Sequence, residues 1–185
     1  MLKVIDNFIS ERYSNFIFEK CSGLKWTFVP DISLGNTAQR SVPGFSYNFF
    51  LHKDFNNKEP KTIEEQEYSF IAPMLMEAIN SFNLPYSCFD SLFRSRARLT
   101  LANDRLSDNE KIDNPHIDYQ IPHLVLLYYV NTTDGDTVMF ENGTVRDRIP
   151  PKRGRCILFD GSVLHASSTP SLGPRIVINN NIRLS

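Results

Sequence analysis

From about residue 92 onward the chain carries only short apolar runs, 93–102, 123–131, 136–140, 155–159 and 175–183, parted by clusters of Asn, Asp, Gly and Pro. Parallel strands need a crossover of about a dozen residues or more, normally a helix. No helical period separates these runs, so the second half predicts antiparallel strands folded on one another. The first half reads differently. Leu2, Val4 and Ile5 suit a strand; Phe8, Ile9, Tyr13, Phe16 and Ile17 then recur at helical spacing behind a cap at Asp6 or Ser10. Residues 31–60 mix prolines, glycines and the aromatics Phe45, Tyr47, Phe49 and Phe50, and read as irregular strand and loop. A second helix is expected over 62–82. Pro60 and Thr62 open it, Glu64, Glu65 and Glu67 suit its first turns, and Phe70, Ile71, Met74, Leu75, Ala78 and Ile79 form its stripe. Asn83 and Pro85 stop it. The expected architecture is mainly β, a helix-backed sandwich or jelly roll in one domain over 1–185, with helical support over about 6–85 and the β core over about 92–185.

Charge and composition narrow the function classes. With 20 Lys+Arg against 21 Asp+Glu the formal net charge is −1, which offers no basic body for gripping phosphate backbones, so nucleic acid is not expected as a partner. No run of 18 apolar residues exists, so no membrane span is expected. The opening Met-Leu-Lys-Val-Ile-Asp6 has an acid where a signal peptide needs an apolar stretch. Cys21, Cys88 and Cys156 are odd in number and lack CxxC spacing, which fits buried thiols in a reducing cytoplasm.

The chain has four histidines, and their spacing carries the chemistry. His116 and Asp118 stand two apart in Asn114-Pro-His116-Ile-Asp118-Tyr. In an extended segment such residues share a face, so an imidazole and a carboxylate can meet one cation; the same pair also fits a wetted surface strand. Forty-nine residues later, Gly154-Arg-Cys-Ile-Leu-Phe-Asp160-Gly-Ser-Val-Leu-His165 gives a turn, a buried strand, a second turn and a histidine. Two histidines and one carboxylate can occupy one face of an octahedral Fe(II) and leave the other positions open. Ten residues beyond His165, Arg175 opens the last strand with a planar guanidinium suited to a carboxylate.

With these residues in place, the chain resembles the Fe(II)/2-oxoglutarate-dependent dioxygenases of the prolyl-hydroxylase-like superfamily. The His-x-Asp…His…Arg pattern is matched by His116, Asp118, His165 and Arg175. Leu127-Tyr128-Tyr129-Val130-Asn131 resembles the family's Tyr-Leu-Asn strand, and Gly135-Asp136-Thr137-Val138-Met139-Phe140 its Gly-Gly-x-Thr-x-Phe turn and strand. Pro151-Lys-Arg-Gly154 is similar to its Pro-x-x-Gly turn, and Val4-Ile-Asp-Asn-Phe8 to its opening segment. The resemblance implies a double-stranded β-helix (jelly roll) with Fe(II) held by His116, Asp118 and His165. It implies 2-oxoglutarate anchored by Arg175 and Tyr129, with dioxygen and an unidentified primary substrate as partners. The implied reaction is hydroxylation of a C–H bond of a peptide, amino acid or small metabolite, with release of succinate and CO2. The chain departs from the pattern at Thr100-Leu-Ala-Asn103, where the family often carries a tyrosine, and at Asp136, where it carries a second glycine.

Two rival readings come with it. An AlkB-like nucleobase demethylase has a second arginine six residues past the first, whereas Arg183 lies eight past Arg175. A jelly-roll binding module would have no catalytic metal. Other residues keep two readings each. Arg94, Arg96 and Arg98 share a face, either lining the barrel mouth toward an acidic substrate or the cosubstrate, or forming a solvated edge. The aromatics of 45–50 are a lid or core packing, and Tyr119 is a substrate contact or an exposed ring. His123 begins a strand with its ring bonded or in solvent, and His52 sits on a loop.

Overall fold

Seven consecutive residues, His123–Tyr129, are buried, and they form the inner strand β6. A run of this kind belongs to a strand covered on both faces. Leu124, Leu126 and Tyr128 face one core, while Val125, Leu127 and Tyr129 face another. A computed structural model describes residues 1–32, 41–51, 62–63 and 65–184 of the chain. In it, β6 lies in an antiparallel eight-stranded sheet. The order is β1 (Leu2–Ile5), β9 (Cys156–Asp160), β6, β11 (Arg175–Arg183), β5 (Leu92–Thr100), β3 (Gly44–Leu51) and β2 (Thr27–Val29), with β4 (Thr62–Ile63) also paired to β3. A second sheet of three strands, β10 (His165–Ser167), β7 (Thr137–Glu141) and β8 (Thr144–Ile149), packs over Val125, Leu127, Tyr129 and Val177 through Met139 and Ile149. This is the mainly β, jelly-roll architecture expected from the run of strands.

Helices cover the other face of the large sheet. In α1 (Glu11–Ser22) the Ser10 side chain accepts the Tyr13 N–H, so Ser10 is the cap. Asp6 instead pairs with Arg155 at 2.6 Å and Lys152 at 3.0 Å, tying the opening segment to the turn before β9. The helix buries Ser14, Ile17 and Cys21. Phe16, expected on the inner stripe, is 41% exposed, because it lies about 100° around the helix from Ile17.

The segment 62–82 is not one helix. It comprises β4, a single turn α2 (Glu65–Tyr68) and α3 (Ala72–Phe82). Pro73 stands in the first turn of α3; it has no N–H to continue a ladder, and inside a longer helix its ring would collide with the carbonyl four residues back. The stripe itself is buried as expected, with Phe70, Ile71, Met74, Leu75, Ala78 and Ile79 all in the core. Asn83 ends α3 in the left-handed conformation (φ 54°, ψ 50°). The expected helical support over 6–85 also supplies β2, β3 and β4, so the N-terminal half extends the sheet as well as backing it. Within β3, Phe49 and Phe50 are core residues, and Phe45 meets Phe28 edge-on at 5.7 Å. Residues 33–40 and 52–61, which include His52 and Pro60, lie outside the described residues, as does Glu64.

Short helices α4 (Ser87–Asp90) and α5 (Asp108–Lys111) flank β5. Cys21, Cys88 and Cys156 are free and buried; burial pushes the Cys21 thiol up to about 12 and that of Cys156 well above its ordinary value. Among the described residues no helix is long and apolar enough to cross a membrane.

Met74 is fully buried on α3 and Met76 is 40% exposed on the same helix. Met74→Ala should cost about 2–5 kcal/mol, whereas Met76→Ala should stay within about 0.5 kcal/mol of wild type. Urea unfolding of both variants checks the orientation of α3; equal losses would contradict it.

Candidate metal centre

Two short backbone hydrogen bonds set the positions of the histidines. His116 N–H donates to the His165 carbonyl at 2.8 Å, and His165 N–H donates back at 2.9 Å. His165 lies on β10, opposite Met139 of β7, so the second sheet fixes both residues. Each ring is then oriented by its own chain: Nδ1 of His116 lies 3.0 Å from the Asn114 carbonyl, and Nδ1 of His165 lies 2.9 Å from the Val163 carbonyl. A carbonyl accepts only, so each Nδ1 carries the proton and each Nε2 keeps a free lone pair. Burial lowers the pKa of both rings, which favours the neutral form a ligand needs.

Asp118 completes the group. Its side chain is 1% exposed. Oδ2 sits 3.0 Å from the Arg94 guanidinium and accepts the Nδ2 amides of Asn179 at 3.0 Å and Asn181 at 2.8 Å. Burial alone would raise this carboxyl's pKa, but Arg94, His165, Asn181 and Asn179 together pull it well below the usual carboxylate range. Oδ1 remains, 3.8 Å from His116 Nε2. Ligand atoms of His116, Asp118 and His165 lie within 4.8 Å of one another. Two neutral imidazole lone pairs and one fixed carboxylate oxygen, all turned to one point, are the donor set of a facial triad, so these residues fit a divalent iron.

The triad opens into a cavity of about 40 Å³, several times the room one water needs. Arg175, 4% exposed, lines its far side with Thr100 and Thr137. Its guanidinium donates to Thr137 Oγ1 at 2.8 Å and lies 5.7 Å from the Tyr129 ring centre. Tyr129 is fully buried; its hydroxyl donates to the same Thr137 oxygen at 2.6 Å, so it stands behind the cavity wall. Gly135 makes this packing possible: a Cβ there would fall 2.7 Å from the Ser168 carbonyl oxygen and 3.1 Å from Arg175 Cδ.

The remaining candidates fall as follows. Arg94, Arg96 and Arg98 do not form a solvated edge, since β5 is covered by β11 and β3. Arg94 pairs with Asp118, and Arg98 lines the cavity. Tyr119 is half-buried with its ring 4.8 Å from the Arg94 guanidinium carbon, bracing that residue. His123 is 1% exposed, with Nδ1 against the Ile121 carbonyl and the ring packed over Gly161. Arg183 is exposed at the opposite end of β11 from Arg175. Sequence reasoning left out Asn179, Asn181 and Thr137 as site residues. The signal was present in Asn179-Asn180-Asn181, three amides inside an otherwise apolar strand, which must find partners once buried.

No family model and no curated protein matches the sequence. Solved structures do match the fold. An oxidoreductase of the 2OG-Fe(II) oxygenase family from Burkholderia pseudomallei superposes with a TM-score of 0.75 at 10% identity, over 98% of this chain and 84% of that one. The fold is that of the 2-oxoglutarate and iron oxygenases. A viral collagen prolyl hydroxylase from Paramecium bursaria Chlorella virus-1, solved with 2OG, matches at 0.58 and 16% identity, over 100% and 96% of the chains. The α-ketoglutarate-dependent epimerase SnoN of nogalamycin biosynthesis matches at 0.62 and 12%, over 98% and 76%. This oxygenase fold thus carries more than one reaction, and the residues of the site must argue which chemistry applies.

Arg94→Gln should leave Asp118 without its charged partner and loosen Oδ1. Fe(II) affinity, read by anaerobic calorimetry, should fall about 10–100-fold, as for other residues that orient metal ligands. Unchanged affinity would show that the asparagines alone hold the carboxylate.

Proposed function

We propose that this protein is an Fe(II)- and 2-oxoglutarate-dependent oxygenase that hydroxylates a C–H bond of a small metabolite, amino acid or peptide. One observation carries the reading: a three-ligand group with its lone pairs aimed at one point shares a cavity with a buried, incompletely bonded arginine. A structural ion pair would not need the arginine, and an inert barrel would not need the free lone pairs. The superpositions support the fold within which such a site works.

His116 Nε2, Asp118 Oδ1 and His165 Nε2 would hold the iron on one face and leave its other positions to the cavity. Bound there, iron and 2-oxoglutarate supply the activation of dioxygen, coupled to loss of CO2 and formation of succinate. The chain's own residues position and exclude. Arg175 binds the distal carboxylate of 2-oxoglutarate, since its Nε has no partner while one terminal nitrogen is held by Thr137. Thr137 Oγ1 accepts from both Arg175 and Tyr129, so its single O–H is left to donate into the cavity it lines. Tyr129 thereby acts on the cosubstrate through Thr137, a more indirect role than the resemblance implies. Val125, Leu127, Phe159 and Val177 form the apolar wall that keeps bulk water from the reacting centre.

Iron-loaded protein should release succinate from 2-oxoglutarate, slowly alone and faster with its substrate. Arg175→Ala should weaken 2-oxoglutarate binding by an order of tenfold to several hundredfold, because a charge-assisted pair of about 1.5–3 kcal/mol is lost and a carboxylate stays buried without compensation. Arg175→Lys should fall between, keeping charge but not the planar fork. Iron affinity should hold in both. Wild-type 2-oxoglutarate affinity in Arg175→Ala would overturn the assignment.

A further inference from the structure

β5 presents four side chains to the inner face at a spacing of two: Arg94, Arg96, Arg98 and Thr100. The register places them beside Asn181, Asn179, Val177 and Arg175 of β11. The three guanidiniums differ in what satisfies them. Arg94 has Asp118 and the Asn181 side-chain oxygen, the latter at 2.7 Å. Arg98 donates one terminal nitrogen to the Ile32 carbonyl at 2.8 Å, and its buried Nε has no partner. Arg96 is least satisfied: Nε and one terminal nitrogen are buried with no acceptor. Beside it, Asn179 lines the cavity with its Oδ1 also buried and unpartnered. Among the described residues no carboxylate lies within ion-pair distance of Arg96 or Arg98.

An orphaned, buried, charged donor is costly, and native proteins keep such groups where a ligand completes them. Asp118 already answers Arg94, and the proposed function gives Arg175 to the distal carboxylate of 2-oxoglutarate. Two planar forks are left over: Arg98 lines the cavity, and Arg96 stands two residues along β5, beside Asn179, which also lines it. We infer that the primary substrate carries an oxyanion, a carboxylate or a phosphate, which Arg96 and Arg98 bind by paired hydrogen bonds. This deepens the oxygenase reading and rests on it only for the word substrate. The unpartnered Asn179 oxygen asks further for an N–H or O–H donor on the same ligand or on an ordered water. Burial, together with the repulsion of neighbouring arginines, lowers Arg96 to about 8 and Arg98 to about 10, and an anion in reach of both would reverse that.

The test titrates the full chain, loaded with Mn(II) and 2-oxoglutarate, with three size-matched sets of probes: N-acetyl amino acids, their carboxamides, and phosphate monoesters. Acids of one set should bind at least about tenfold more tightly than the carboxamides, and which set wins separates carboxylate from phosphate. Arg96→Met and Arg98→Met should each remove about tenfold or more of that affinity, with Arg96→Lys recovering part of it. Without ligand, Arg96→Met should melt about 2–4 °C higher than wild type, since it replaces an unpaired buried charge by a side chain of similar length; an arginine serving the fold would shift the other way. Equal binding of acids and carboxamides overturns the inference, as does acid affinity within about twofold of wild type in both methionine variants. A loss that falls on 2-oxoglutarate instead also overturns it, because the two arginines would then belong to the cosubstrate. Acid binding through Arg96 and Arg98 in a protein that takes up neither Mn(II) nor 2-oxoglutarate upholds the anion site and defeats only the oxygenase reading.

Discussion

Burying a carboxylate carries a penalty of several kcal/mol unless hydrogen bonds and an opposite charge surround it, and the Asp118 side chain is almost wholly buried. The partners that meet this penalty come from two adjacent strands: Arg94 from β5, and Asn179 and Asn181 from β11. All three act on Oδ2. The other oxygen is left facing His116, so the same contacts that make burial tolerable also select which oxygen a metal would meet. Removing any one of them leaves the charge in place with fewer partners, which is why the group behaves as a unit rather than as three separable bonds.

The same strand carries polar residues to its other face. Asn180 points toward the helices, where its Oδ1 accepts from Ser95 at 2.6 Å and its amide donates to the Leu126 carbonyl at 3.3 Å. Consecutive side chains on a strand alternate faces, so a slip of one residue would exchange Asn179 and Asn181 with Asn180. The carboxylate would then lose those two amides, which would themselves be turned toward the apolar side chains of the other core, Leu126 and Ala97 among them. Buried amides on both faces thus lock β11 between β5 and β6 in one register, and that register is what sets Arg175 opposite Thr100 at the cavity. Packing alone would fix it less firmly, because the apolar residues of β11 tolerate exchange better than the amides do.

This explains why the sequence was legible in some places and silent in others. Strongly patterned elements were readable: the continuous run of β6, the stripe of α3, and the Asn83 stop. So was the spacing of His116, Asp118 and His165, since a metal group needs particular residue types. Pro73 is a breaker within the stripe that the expectation of one helix over 62–82 leaves out of account. The strand β8 was missed although Asn142-Gly143, both with positive φ (51° and 77°), forms the turn that joins it to β7. Its sequence Thr-Val-Arg-Asp-Arg-Ile is largely exposed and offers no apolar alternation. The strand β10 has only three residues, too few for any period. The Arg94–Arg98 row was ambiguous in sequence because alternating charges mark either an edge or a polar interior, and only the position of β5 between β11 and β3 decides between them.

That row also shows where the fold stops completing itself. Moving along β5, Arg94 is held by a carboxylate and an amide, Arg98 by one backbone carbonyl, and Arg96 by nothing among the described residues. Arg175, across the cavity, has one threonine and one orphaned nitrogen. The carboxylate that the chain must hold still before any ligand arrives has three partners on one oxygen; the arginines that would grip a ligand keep donors in reserve. A fold selected for stability alone would replace Arg96 with an apolar residue of similar length, since buried charges without partners destabilise. Its retention on a strand whose opposite face puts Ala97 in the core, Leu99 against it and Ser95 on Asn180 fits the inferred role of binding an acidic molecule beside the cavity.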